Sequence, residues 1–591
     1  MAAENAISPA FQTLPRTIWT LLTTLVLLFI AYGFRKLQPR PLPGIPYNKD
    51  IGIFGDIPAL LKARKAGSIR PWLWGVAKRH KSPIAQVLLL PFTKPLVIVS
   101  DYQESYDIMC RRTKEFDRAR LNVDEFIPFV PEHHVVMMSS DPRFKANKEL
   151  VKGLMSPRIL SDAFVPVIYE KARHLIDLWK VKMDAAEGRP FSAIRDLQEL
   201  AMEITLALVL GVHDGRRTTQ RHQEFLTSKG SSAVCDHSAD IACFARPQLT
   251  PEVDALARMT KFLQFAITCI APHLQVWILK KTKWRKYFQR KEKLLSDEIN
   301  KSVKRLSTAG CDSSDCKTVI DHILMREAML AKKTESRPNF HKPSIRDELF
   351  GFVIAGSDTV STTMSWTVKY LADNQMVQAK LRRQLRSSYK DAHDSKRQPD
   401  ASEILHVSAP YLDAFIEESL RHAKAVPILV REAIVDTEVL GHHIPKGTSI
   451  FMIAGGASVT EPTIPIAHEA RSPSSQVHGP RVPRWDDDDI TQFKPERWLK
   501  TSSNSSTTRT AAGEFDNVEF DPNAGPILAF GAGPRGCFGR RLGYLEMRIM
   551  IALLVWNFRF EQCAAHLSTH AEYDEFTCVP THCYVKPEWV E

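Results

Sequence analysis

Apolar residues recur at helical spacing over about 149–182, 192–211, 252–280, 344–373 and 540–557. Short apolar runs in 84–99 (IAQVLLLPFTKPLVIV) and near 427–453 read as strands, so the pattern predicts a mainly α chain with small β-sheets. Ser344 and Asp347 have the spacing of a capping box at the start of the 344–373 helix. One stretch departs from amphipathic patterning. Ile18–Phe34, IWTLLTTLVLLFIAYGF, has no charge over 17 residues. As a helix it would span about 26 Å, near the lower limit for crossing a bilayer. A buried core helix and a cleaved signal peptide compete with a membrane anchor, and Ala31-Tyr32-Gly33 loosely resembles a cleavage site. Only Arg16 precedes the stretch, whereas Arg35, Lys36, Arg40 and Lys49 follow it. That asymmetry favours an uncleaved anchor with the bulk of the chain in the cytosol. The expected organisation is a short lumenal tail (1–17), a single transmembrane helix (18–34), a basic proline-rich linker (35–50) and one large domain (51–591). The linker prolines in PRPLPGIP, residues 39–46, predict a stiff spacer. Surface insertions are expected at 461–484, rich in Pro, Ser and His, and at 501–513, TSSNSSTTRTAAG.

Composition adds less. With 591 residues, 44% hydrophobic and 25% charged, the chain can bury a large core. The net charge of +12 suits an acidic protein, anionic lipid or nucleic acid, or simply a solvated basic surface. No basic stripe with interleaved aromatics supports nucleic-acid binding. The ten cysteines form no CxxC pair and no zinc spacing, and Cys311 and Cys316 lie in a Ser/Asp-rich loop. The acidic run Asp486–Asp489 reads as a solvated turn before a metal site.

The chemistry concentrates in residues 526–546, PILAFGAGPRGCFGRRLGYLE. Gly531, Gly533, Gly536 and Gly539 permit tight turns and close approach to a flat ligand. Cys537 lies just before a helix start, where backbone N–H groups and the helix dipole favour a thiolate, and Arg535 adds positive charge. GAGPRG also spells G-x-G-x-x-G, a nucleotide fingerprint. About 55 residues remain after it, too few for a doubly wound domain, and Pro534 removes an N–H that such a loop would donate.

The longer spacing Phe530-x-x-Gly533-x-Arg535-x-Cys537-x-Gly539 resembles the haem loop of the cytochrome P450 family at every defining position. Three further segments occur in that family's order. Glu418 and Arg421, three apart in YLDAFIEESLR, can pair on one helix face, and FKPERW supplies Arg497 as the third member of a buried structural triad. Ala355-Gly356-Ser357-Asp358-Thr359 resembles the distal-helix motif, with Val360 where the family usually has Thr or Ser. The family's early Trp-x-x-x-Arg is here Phe144-Lys-Ala-Asn-Lys148, and Arg431 in PILVREA fits its strand arginine.

The resemblance implies a P450 fold behind the anchor, most like fungal enzymes of secondary metabolism. It implies haem b (iron protoporphyrin IX) with Cys537 as axial ligand. Phe530, Gly533 and Gly539 would shape the cofactor site, and Arg535, Arg431 and Lys148 would pair with propionates. It makes Thr359 and Asp358 the proton-delivering residues, O2 the co-substrate, and NADPH–cytochrome P450 reductase, with cytochrome b5 as a second candidate, the electron donor. A lipophilic substrate would meet 119–137, Phe352 to Ala355 with Gly356, and Val426 to Leu429. The expected location is the endoplasmic reticulum membrane. Competing readings are a P450-like isomerase or dehydratase that needs no reductase, and a membrane-tethered scaffold without activity.

Overall fold

The computed structural model describes residues 16–37, 40–49, 52, 54–89, 93–211, 218–235, 240–268, 271–309, 316–501 and 518–590. Among the described residues helices dominate, with five small sheets. The first helix, Arg16–Leu37, covers the uncharged segment, and its described side chains from Leu21 to Phe29 include many exposed apolar ones. Among the described residues, no helix is long and apolar enough to cross a membrane. The side chains at both ends of the Arg16–Leu37 helix lie outside the described residues, so an N-terminal span is not established.

The proline-rich segment that follows is docked, not a free spacer. Gln86 donates to the Leu42 and Ile45 carbonyls at 2.9 and 2.8 Å and accepts from the Leu42 N–H at 2.8 Å. Ile45 is buried against the sheet.

The largest sheet has the order Ile84–Val87, Leu96–Val99, Ser449–Ile453, Ile428–Ala433, Phe116–Asp117. Leu96–Val99 is buried on both faces, which explains why it is continuously apolar instead of alternating. At the far edge Asp117 pairs with Glu432, which sets Arg118 close to Arg431 across the strands. A small sheet pairs Phe558–Glu561 with Tyr584–Trp589 and closes the C-terminus onto the helices.

The main core forms where the long helix Pro343–Asp373 runs along Ile194–Leu210, with Val165–Ala186 and Arg540–Asn557 packed beside them. The predicted helices at 192–211, 344–373 and 540–557 appear at Ile194–Leu210, Pro343–Asp373 and Arg540–Asn557. The 252–280 stretch is two helices, Pro251–Thr268 and Pro272–Lys281, since proline starts the second and cannot continue the first. The expected capping box does not form. Lys342 is the cap residue, Pro343 opens the helix, and Asp347 instead accepts the Glu132 N–H at 2.8 Å. In the 461–484 insertion, Arg471 is buried against Asp101 at 2.8 Å, so its base is anchored to the core. Residues 502–517, covering most of the second predicted insertion, and Cys311 lie outside the described residues.

Candidate active site

The cysteine loop leaves the core at Leu528 and re-enters it as the helix Arg540–Asn557. It turns twice. Gly531 and Gly533 have φ of +62° and +69°, a region closed to most side chains. At Gly533 space also forbids one, because an added Cβ would lie 2.1 Å from the Met109 carbonyl oxygen. The turn is closed by the Cys537 N–H donating to the Phe530 carbonyl at 2.8 Å and by Gly536 N–H to Gly533 O at 3.0 Å. Gly539 is the cap residue of the following helix and has no neighbour where a Cβ would be. Phe530 packs on Tyr544, ring centroids 5.2 Å apart, beneath the loop.

Cys537 is exposed at its own position yet surrounded by protein at longer range. Burial therefore pushes its thiol up, with the Gly539 amide and the Arg540 charge pulling the other way. The protein groups alone do not produce the thiolate that the loop's place before a helix suggested. Deprotonation would have to come with a metal cation.

Behind the loop, Glu418 accepts two hydrogen bonds from Arg421 (2.8 and 2.7 Å), one from Arg497 (3.1 Å), one from the Trp498 indole (2.9 Å) and one from the Lys494 N–H (2.8 Å). Burial raises the Glu418 pKa, but the bonds from Arg421 and His422 outweigh it and hold the carboxyl well below its ordinary range. Arg421 also donates to the Val459 and Ile490 carbonyls. The three predicted residues thus form one buried, fully bonded cluster. It extends to Asp489, which accepts from Arg497 at 2.9 Å, so the acidic run is partly structural and not merely solvated.

The long helix faces the cysteine loop. Val353, Ile354, Ser357 and Val360 are buried, whereas Ala355 in their midst is exposed and Phe352 and Thr359 are half-buried. Positions 352, 355 and 359 share one helix face, which therefore borders an opening inside the molecule. Phe352 touches Phe538, the neighbour of Cys537, at 5.8 Å between ring centroids. Thr359 donates to the Ala355 carbonyl at 2.7 Å. Burial and the nearby Glu575 push the Asp358 carboxyl up to about 7, against the pull of Lys261. Gly356 turns elsewhere. A Cβ there would lie 3.1 Å from Thr205 Oγ1, so its smallness serves contact with Ile194–Leu210. Val426 is 39% exposed, just before the strand Ile428–Ala433.

The comparisons with known proteins agree with this arrangement. A family model described as Cytochrome P450 matches residues 71–460 and 488–582. The chain belongs to the cytochrome P450 family. It is 35% identical to "Cytochrome P450 monooxygenase TRI13" of Fusarium sporotrichioides, covering 95% of this chain and 97% of that one. It is 31% identical to "Cytochrome P450 monooxygenase GME11363" of Pestalotiopsis microspora, covering 94% and 96%. It is 32% identical to "Cytochrome P450 monooxygenase xilC" of Penicillium rubens, covering 94% and 93%. The crystal structure of a cytochrome P450 (CYP102L1) superposes with a TM-score of 0.64 at 17% identity, over 94% of this chain and all of that one. That structural likeness carries the fold alone. With the family matches, the chain is a P450 monooxygenase, most like fungal enzymes of secondary metabolism.

The P450 family implies haem, and the residues present fit it. Arg118 feels both Arg431 and Arg535, Arg431 feels Arg535, and Asp117 is the carboxylate that acts on all three. Three guanidiniums against one carboxylate leave a surplus of two positive charges, which suits the two propionates of a haem. Burial first, then the neighbouring arginines, brings Arg118 down to about 9, and burial with Arg535 brings Arg431 to about 10. The Arg118 Nε is buried with no hydrogen-bond acceptor. An orphaned buried donor of this kind needs an anion. Arg535 is gripped by the Met137 carbonyl (2.6 Å), Ser139 Oγ (3.0 Å), and the His134 carbonyl and Asp117 (3.4 Å each). Lys148 lies 5.3 Å over the Phe144 ring, which Arg535 also covers at 3.9 Å.

Arg118 would be a further partner for a haem propionate, and sequence reading missed it. Nothing local marks it; only the pairing of Asp117 with Glu432 brings it beside Arg431.

Proposed function

We propose that this P450 inserts one oxygen atom from O2 into a lipophilic intermediate of secondary metabolism, using haem b held by Cys537. Its electrons are to come from NADPH through a separate cytochrome P450 reductase, with cytochrome b5 as a second donor. The observation that carries the reading is an accessible Cys537 whose neighbour Phe538 packs on Phe352 of the long helix, one turn before the exposed Ala355. When bound, the haem supplies oxygen activation and the oxidation itself. The chain supplies the rest. The Phe530–Gly539 turn presents the sulfur, and the arginine surplus neutralises the propionates. Asp358, half protonated near neutral pH, holds a proton within one residue of the Thr359 hydroxyl. That hydroxyl now donates to Ala355 O and can rotate toward the opening to pass a proton. Ala355 keeps that wall of the opening small, and Val426 with Leu429 is proposed to meet the substrate.

The proposed site of action is the endoplasmic reticulum membrane, with the catalytic domain toward the cytosol. The exposed apolar stretch Leu21–Phe29 and the bases after it support this. Alkaline carbonate extraction of expressing microsomes tests it, since release of the protein into the supernatant would remove the anchor. For the chemistry, the reduced protein with carbon monoxide is expected to show the Soret shift of thiolate-ligated haem, and Cys537→Ser to lose it. An imidazole-type spectrum would sink the assignment. An isomerase or dehydratase would turn over its substrate without reductase, so product formed in the absence of NADPH would favour that alternative.

A further inference from the structure

We propose that Glu348 is a positioning residue for the cofactor site: by holding the 132–139 loop it sets the carbonyls that grip Arg535. The inference rests on the reading that Arg535 faces a haem propionate. Glu348 lies near the start of the long helix, and its side chain is fully buried. It accepts the His134 backbone N–H and the His134 Nδ1, both at 2.8 Å, and His133 Nε2 approaches at 3.4 Å. The preceding residue, Asp347, accepts the Glu132 N–H. Two successive carboxylates of one helix thus fasten one edge of the loop. From the same loop, the carbonyls of His134 and Met137 and the Ser139 hydroxyl take the Arg535 guanidinium.

The helix is shaped for this loop. A Cβ on Gly351 would lie 2.2 Å from the His133 ring, so no other residue admits the imidazole there. A glycine inside a helix is otherwise disfavoured relative to alanine. His133 stacks on His134 at 4.5 Å, and His134 reaches Phe538, the residue after Cys537, at 6.4 Å.

The three side chains could also be read as metal ligands, since their donor atoms lie within 4.8 Å of one another. The hydrogen bonding opposes that. His133 Nδ1 accepts the Val135 N–H at 2.9 Å, so the neutral ring carries its proton on Nε2, the atom turned to Glu348. Arg118 acts on His133 and Arg535 is bonded to the His134 carbonyl, so a dication would meet nearby positive charge. The carboxylate is instead stabilised by N–H donors from the loop it holds.

The test is a double-mutant cycle on the haem-loaded protein, reading the rate of haem loss to an excess of apomyoglobin. A wild type without the thiolate–carbon monoxide spectrum would mean that the underlying haem reading has failed, separately from this proposal. With that spectrum present, Glu348→Ala is expected to speed haem loss about tenfold, the loss of one charged hydrogen bond. Glu348→Gln, which keeps an acceptor for His134, is expected to restore most of it. In an Arg535→Lys background, which keeps the charge but loses the fork, Glu348→Ala should change the rate less than about twofold. An equal factor in both backgrounds, or no change in either, overturns the proposal. So does stoichiometric zinc in the wild type that disappears in Glu348→Ala. If the alanine variant does not fold, Glu348→Asp, which keeps the charge but is too short to reach both His134 donors, is compared in the two backgrounds by the same criteria.

Discussion

Gly533→Ala and Gly543→Ala lie ten residues apart at the same site and are expected to act with opposite sign. At Gly533 the added Cβ would sit 2.1 Å from the Met109 oxygen and 2.9 Å from its carbonyl carbon, where ordinary contact begins near 3.4 Å. The obstacle is backbone of the helix Tyr102–Cys110, with Met109 buried, so it cannot swing aside. The loop itself would have to move by about 1 Å. The φ of +69° adds a left-handed penalty of about 1–2 kcal/mol. Overpacking adds about 1–3 kcal/mol. The sum, about 2–5 kcal/mol, approaches the lower end of ordinary domain stability. A shift of about 1 Å at a reacting centre also costs about a hundredfold in rate. Gly543 is inside the helix Arg540–Asn557, and its added Cβ would meet Phe530 at 3.5 Å, an ordinary contact. There alanine gains about 1 kcal/mol of helix propensity. The assay is the reduced carbon monoxide difference spectrum per mole of protein, with thermal unfolding of the same samples. Gly533→Ala should lose most of the haem signal, and Gly543→Ala should keep it and melt higher. Wild-type haem content in Gly533→Ala, or equal damage from both substitutions, would refute the steric reasoning.

Three further outcomes are expected. Glu418→Gln strips charge from a buried cluster and leaves Arg421 and Arg497 underpaired, costing about 3–5 kcal/mol in urea unfolding; a change under about 1 kcal/mol would show the cluster to be dispensable. Thr359→Ala should raise the share of NADPH oxidised without product, and unchanged coupling would remove the hydroxyl from proton delivery. Asp358 keeps its proton in the folded protein up to about 7, whereas the unfolded chain releases it near the ordinary 3.8. The folded state therefore binds more protons in that window, and this residue's stabilising contribution is lost as pH rises through about 7. The melting temperature of wild type should fall relative to Asp358→Asn as the pH is raised from about 5 to about 8, and parallel curves would contradict the shift.

What the sequence made legible was what is encoded locally. The Phe530–Gly539 turn is one short segment, and its spacing carries its own geometry. Glu418 and Arg421 are one helical turn apart, so their pairing follows from periodicity, and the uninterrupted apolar pattern of 344–373 became a single helix. Features assembled from distant segments were not legible. Arg118 carries no local sign of its role; it matters only because the strand holding Asp117 pairs with the one holding Arg431. Ser344 and Asp347 satisfied a capping pattern, yet Pro343 took the first turn and the Glu132 N–H offered Asp347 a better-defined partner. Glycines show the limit most directly. Gly351, Gly356 and Gly533 look alike in sequence, but each missing side chain admits something different: a histidine ring, a neighbouring helix, a backbone carbonyl. The same limit bears on substrate. The elements that define P450 chemistry here are locally encoded or lie on buried helices. The residues proposed to meet substrate are single positions on separate segments, such as Ala355, Val426 and Leu429, whose joint shape no one segment specifies. The chemistry of this chain is therefore written redundantly and its selectivity only once, so substitutions around the opening should change what is oxidised well before they change whether anything is.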